Sequence, residues 1–192
     1  MKLFLKGTRC DTPKCAIVRR ERSPGEHPFG RGKPSSYAIQ LREKQRMKRY
    51  YGVLEGQFRN YFAAVSRAPG NTGENLLITL ERRVDNVLYR SGLVLSRVQG
   101  RQGIAHGNVL INGQRVDVPS YPVKVNDVIT VSSADNVQKI TRENLEVSKN
   151  RPIPVWLEVS EEPIQVRVLA LPTREDVSVP IQEQLIVELL SK

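Results

Sequence analysis

The stretch SRVQGRQGIAHGNVLING, residues 96–113, contains a change of period. Its first half reads as a short helix. Ser96 is placed to cap it, its hydroxyl accepting from an early backbone N–H. His106 falls in the last turn, and Gly107 can end the helix in the left-handed conformation. From Val109 onward the signals are β, and Asn-Gly between the β-branched residues of VLINGQRV is a tight-hairpin signature. The helical half carries few apolar side chains. Arg97 and Arg101 stand at i, i+4 on one face, flanked by Gln99 and Gln102. Glycines at 100 and 103 cost about 1 kcal/mol each against alanine, and they let another backbone come close. Arginine presents five donors in a plane that matches phosphate oxygens in pairs. Such a face suits a phosphate backbone; the plainer alternative is an ordinary solvated helix.

Upstream, TGENLLITLERRVDNVLYRSG predicts one long helix with Leu77, Leu80, Val84, Val87 and Leu88 along one side and Arg82, Arg83, Asn86 and Arg90 along another. Gly92 is its expected stop. EGQFRNYFAAVSRAPG puts Phe58, Tyr61, Phe62 and Val65 on one helical face, read as core rather than as a base-stacking surface. YAIQLREKQRMKRYYG predicts a helix stopped by Gly52, bearing the cluster Arg42, Lys44, Arg46, Lys48 and Arg49. Downstream, VKVNDVITV predicts a strand pair about a turn. VWLEV and IQVRVLAL predict another pair joined by SEEP, with Ile164, Val166 and Val168 on its apolar face. The tail VPIQEQLIVELLSK predicts a helix that docks Ile181, Leu185 and Leu189 on other helices. Residues 1–36 include RRERSPGEHPFGRGKPSS, too rich in Gly, Pro and base to bury a core. They read as an extended basic arm, irregular or folding on a partner.

Charge placement narrows the function. The 192 residues carry a net +10. Residues 1–60 hold 15 Lys and Arg against 5 Asp and Glu, and residues 61–192 hold 15 of each, so the whole excess lies in the first third. That asymmetry points to a polyanion partner. No apolar run is long enough to span a bilayer, MKLFLKG is too short for a signal peptide, and two cysteines make no secreted disulfide framework. A cytoplasmic compartment is the default. Catalysis finds no support: neither Gly-x-Ser-x-Gly nor His-Glu-x-x-His occurs. GEHPFGRGKP fails as a phosphate loop, because His27 stands where its first glycine should and Pro34 follows Lys33. No small-molecule substrate and no membrane partner are expected.

The run LERRVDNVLYRSGLVLSRVQGRQGIAHGNVLINGQRVDVPSYPVKVNDVITV, residues 80–131, resembles the RNA-binding module named after ribosomal protein four of the small subunit. The carrying motifs are Arg-Arg-x-Asp-Asn ending at Asn86, Arg-x-Gln-x-Arg-Gln ending at Gln102, His106-Gly107, Asn112-Gly113 and Lys-x-x-Asp from Lys124. The flanks, SPGEHPFGRGKPSSYAIQLREKQRMKRYYGVLEGQFRNYF and EQLIVELLSK, are similar to the bacterial-type members of that ribosomal protein family, so the likeness covers essentially the whole chain.

The resemblance implies an α+β fold: a basic arm over 1–36, a discontinuous helical domain over 37–78 completed by 174–192, and an inserted α/β module with an antiparallel sheet over 79–173. It implies primary binding to a multi-helix junction in the 5′ domain of small-subunit ribosomal RNA. Ribosomal protein five and messenger RNA near the channel by which it enters the subunit are the other implied partners. Autogenous repression of translation is a further implied activity. The RNA-binding residues it implies are Arg19, Arg20, Lys33, Arg42, Lys44, Arg46, Lys48, Arg49, Arg82, Arg83, Asn86, Arg97, Gln99, Arg101, Gln102, His106 and Lys124. Family members often bind zinc through two cysteine pairs. Only Cys10 and Cys15 are present here, and two thiolates cannot close a tetrahedral site, so no zinc and no other cofactor are expected unless a Cys-x-x-Cys lies upstream. The rivals are a stand-alone RNA chaperone built on the same module and an RNA-modifying enzyme.

Overall fold

The computed structural model describes residues 2–21, 33–177 and 181–191. A 3-10 turn, Gly7–Cys10, leads to the short helix α1, Ala16–Arg19. Helices α2 (Ser36–Tyr51), α3 (Glu55–Val65) and α4 (Thr72–Glu81) follow, then α5 (Val84–Arg90) and α6 (Arg97–Ala105). Strands β1 (Val109–Ile111), β2 (Gln114–Val116) and β3 (Val128–Val131) precede α7 (Asp135–Ser148). The chain closes with β4 (Leu157–Glu161), β5 (Ile164–Val168) and α8 (Glu183–Leu190). This is the mixed α+β architecture expected from the sequence. The five strands form one sheet in the order β2-β1-β3-β5-β4, with every pair antiparallel.

Two apolar clusters organise these elements. In the first, Met47 and Tyr51 of α2, Phe58 and Val65 of α3, and Leu76, Leu77 and Leu80 of α4 meet Val177, Ile181 and Ile186. In the second, Val84, Val87 and Leu88 of α5 and Ile104 of α6 pack on Val109, Ile111, Ile129, Val166 and Val168 from the inner face of the sheet. Alternation along β5 is clean: Ile164, Val166 and Val168 are buried, as a strand with one face on a core requires. Each such side chain contributes about 1.5–3 kcal/mol by leaving water.

Four expectations are corrected. The long helix is broken: α4 ends at Glu81 and α5 begins at Val84, with Arg83 extended at φ −65°, ψ 134° between them. The cause is tertiary. Val123 N–H donates to the Arg82 carbonyl, Arg82 Nε donates to the Val123 carbonyl at 3.1 Å, and Arg83 bridges to Pro122. Leu77 and Leu80 therefore join one cluster, and Val84, Val87 and Leu88 the other. Second, VKVNDVITV forms one strand, not two. Its first half is a turn in which Asp127 accepts from the Lys124 N–H at 2.7 Å and from Asn112 Nδ2 at 2.9 Å. Third, α8 begins after Ile181, so its inward residues are Ile186, buried, and Leu190, while Leu185 and Leu189 are half-buried. Fourth, residues 2–21 are not an irregular arm. They turn at Gly7 against Leu95, and Cys10 and Cys15 are buried. The Pro- and Gly-rich part of the expected arm, from residue 22 through 32, lies outside the described residues. Helix α7 was not foreseen at all.

Candidate nucleic-acid interface

Helix α6 is built as its sequence indicates. The Ser96 hydroxyl accepts from the Gln99 N–H at 3.2 Å, and the helix closes at His106 before Gly107, φ +71°. That left-handed φ favours glycine. The Arg115 guanidinium covers this turn and donates to the His106 carbonyl at 3.1 Å. Gly100 permits the close approach expected of it: a Cβ would meet Val94 Cγ2 at 3.2 Å and the Asp85 carbonyl at 3.3 Å. Gly103 does not, since nothing lies within 4 Å of its Cβ position.

The arginines of α5 and α6 correct the expected outward-facing array. Arg97 is buried. Its guanidinium carbon sits 3.9 Å from the Tyr50 ring centroid and 4.3 Å from that of Tyr89, and Nε donates to Asn86 Oδ1 at 2.8 Å. Arg83 is buried too. It holds Asp85 through Nε at 3.0 Å and Nη2 at 2.7 Å, and donates to the Tyr61 hydroxyl at 2.7 Å. Arg101 pairs with the same carboxylate at 2.6 Å and reaches the Gly52 carbonyl at 2.6 Å and the Tyr51 carbonyl at 3.3 Å. Asn86, fully buried, donates to Glu81 Oε2 at 2.7 Å. Glu81 also accepts from the Tyr51 hydroxyl at 2.7 Å and pairs with Arg90 at 3.5 Å. Burial, aided by the Glu81 charge, holds the Tyr51 phenol well above its ordinary range. Two carboxylates, Asp85 and Glu81, thus face four guanidiniums, those of Arg83, Arg90, Arg97 and Arg101. A buried charge without such partners would be costly. Arg83 and Arg97 are structural, and Asn86 with them. They tie α5, α6 and the end of α2 together.

The α2 cations divide in the same way. Lys44 is buried and pairs with Glu55 at 2.5 Å, Lys48 pairs with the same carboxylate at 3.3 Å, and Arg59 joins at 3.2 Å. The Lys44 ammonium, followed by Arg59 and Lys48, holds the Glu55 carboxyl down at about 2. Arg46 pairs with Glu43 at 2.5 Å. Arg42 and Arg49 are exposed and carry no ion pair among the described residues. Arg82 is half-buried and donates to a backbone carbonyl. Arg19, Arg20, Lys33, Gln102, His106 and Lys124 are exposed, while Gln99 is half-buried and accepts from the Leu95 N–H at 2.8 Å.

What the sequence left out is as informative. Lys2, Lys6 and Arg9 line a hollow of about 370 Å³ together with Arg49 of α2. The Gly7 turn beside them abuts Leu95, the residue before the Ser96 cap. Basic side chains from the first turn of the chain and from α2 are thereby gathered next to the positive end of the α6 dipole. Arg115 is a further exposed cation, at the other end of α6. The signal for the first group was the charge excess itself; nothing local marked Arg115. Both cysteines are free and buried. The Val18 backbone N–H holds the Cys15 thiol below its ordinary range. Among the described residues no three His, Cys, Asp or Glu gather in a metal-binding group.

Comparison with known families adds a second line. Residues 1–81 match the ribosomal protein S4/S9 N-terminal domain, and residues 82–129 match the S4 domain. The chain is 51% identical over 192 residues to small ribosomal subunit protein uS4 of Thermodesulfovibrio yellowstonii, covering all of this chain and 92% of that protein. It is 53% identical over 191 residues to small ribosomal subunit protein uS4 of Acetivibrio thermocellus, with the same coverage.

Proposed function

The chain belongs to the family of small ribosomal subunit protein uS4, a family of structural, non-catalytic ribosomal constituents, and from that premise we propose that it binds small-subunit ribosomal RNA and nucleates folding of the 5′ domain at a multi-helix junction. The observation that carries this reading is the gathering, beside the start of α6, of cations that carry no ion pair among the described residues: Lys6 and Arg9 from the first turn and Arg49 from α2, with Arg42 exposed further back along α2. These side chains meet phosphates where RNA helices crowd, and the rigid Arg-carboxylate-tyrosine cluster beneath them fixes their spacing. Recognition is by shape and backbone, with phosphate contacts setting register. The helical lobe over 37–78 with 174–192, and the module over 79–173, act as one body. Arg19, Arg20, Lys33, Gln102, His106 and Lys124 extend the contact surface. Ribosomal protein five, messenger RNA near its route into the subunit and autogenous repression complete the proposed role in the ribosome, with a contribution to translational accuracy.

The test is binding of the purified protein to a 5′-domain junction fragment, read by filter retention across a salt series and by hydroxyl-radical footprinting. A compact footprint at the junction and a steep linear fall of log affinity with log salt are expected. Equal affinity for the junction and for a plain duplex of the same length would overturn the reading.

A further inference from the structure

Beside α6, on the side of Gly103, a cleft of about 230 Å³ opens between that helix, the β1–β3 strands and α7. Its floor is apolar, formed by Leu93, Val109 and Val131, and Ile140 of α7 makes an exposed wall. Its rim is polar: Gln102 and His106 from the end of α6, and Asn108 just before β1. Among the described residues none of those three side chains has a hydrogen-bond partner, whereas the polar groups deeper in are spoken for, Asn144 Nδ2 by the Leu93 carbonyl at 3.0 Å and Thr141 by the Val137 carbonyl at 2.8 Å. Among the described residues no carboxylate lines the cleft, and Arg115 beside His106 is an exposed cation near its rim. At Gly103 the wall is missing, because the space a side chain would fill is empty.

We propose that this cleft takes one unstacked nucleobase of the bound RNA. This rests on the RNA-binding reading above and goes beyond it by assigning a base-specific contact to a molecule otherwise read as a backbone binder. A base is the ligand whose chemistry matches both halves of the site. Its flat face is satisfied by apolar side chains, and its edge carries donors and acceptors together, which amide and imidazole groups can meet. A free anion would gain nothing from the floor, and a purely apolar ligand would leave the rim unmet. Arg115 at the His106 end of the cleft is placed to meet the phosphate of a base so held.

The experiment compares parent protein with Gly103→Leu on the same junction fragment. The leucine enters open space on a helix, so the variant folds, which its melting curve verifies, and it fills the cleft. Backbone cleavage by hydroxyl radical and base modification by dimethyl sulfate and a carbodiimide are read on both complexes. The expected result is an unpaired base protected by the parent and reactive with the variant, the backbone footprint unchanged, and affinity lower by roughly 5–150-fold, the range that loss of one stacked base gives. RNA carrying 4-thiouridine at that position should cross-link to parent peptides from α6 or α7. Identical base reactivities with parent and variant would overturn the proposal while leaving RNA binding intact. Absence of any backbone footprint with the parent would overturn the RNA reading itself, and this inference with it.

Discussion

Replacing Arg97 by alanine separates a structural arginine from a ligand-binding one. The substitution removes the Nε donor from Asn86 Oδ1, 2.8 Å away, and leaves that oxygen buried, a loss of about 1–3 kcal/mol. It also removes a guanidinium held at 3.9 and 4.3 Å from the Tyr50 and Tyr89 rings; desolvated contacts of this kind contribute about 1–2 kcal/mol each. Deleting a buried charge returns part of its desolvation cost, so these contributions overlap, and the expected destabilisation is about 3–5 kcal/mol. For a chain of this size that lowers the melting temperature by roughly 6–20 °C. The assay is urea unfolding of parent and Arg97→Ala, followed by salt-dependent binding of the junction fragment at a temperature where both are folded. Because Arg97 does not face the ligand, the slope of log affinity against log salt should be unchanged. A variant as stable as the parent to within about 0.5 kcal/mol, with a slope shallower by about 0.7–0.9, one phosphate contact, would refute the assignment.

The opposite pattern is expected at the surface: Arg42→Ala with Arg49→Ala should leave unfolding within about 0.5 kcal/mol of the parent and reduce the salt slope by about 1.4–1.8, measured by filter binding. Gly103→Ala should stabilise by about 1 kcal/mol, since its methyl enters open space on a helix, while Gly100→Ala should destabilise, because its methyl meets the Asp85 carbonyl at 3.3 Å; thermal melts of both check the pair. Glu55, held down at about 2 from an ordinary 4.5 by Lys44, Arg59 and Lys48, has its folded value below its unfolded one. Its contribution to stability is therefore complete above pH 4.5 and is lost as pH falls toward 2. Urea midpoints of the parent and Glu55→Gln should converge across that window, and a constant difference would show that the ion pairs contribute nothing.

The elements legible in the sequence were those whose cause is local. The Asn112-Gly113 hairpin, with φ +51° and +79°, the Ser96 cap and the glycine closures of α2 and α6 each follow from a residue type at its own position. Helix α7 escaped because its inward stripe is polar: Thr141, Asn144 and Ser148 take places where apolar residues would have announced a face. The break at Arg82-Arg83 has no glycine or proline to mark it; the strand-like pairing with Val123 imposes it from forty residues away. The candidate site was half legible for the same reason. Sequence counts cations but cannot sort them. Arg97 and Arg49 look alike until Tyr50, Tyr89 and Asn86 are seen to enclose the first, while the second is exposed and carries no ion pair among the described residues.

Arg101 spans from the carboxylate of Asp85 to the carbonyls where α2 ends. That strap ties the end of α2 to α5 and α6 and favours one arrangement of these helices. Whatever conformational search accompanies complex formation then falls on the ribonucleate: a slack strand must surrender its freedom to fit, whereas one already bent to match surrenders little. Discrimination between folded and unfolded RNA would arise from stiffness in the protein rather than from letters read.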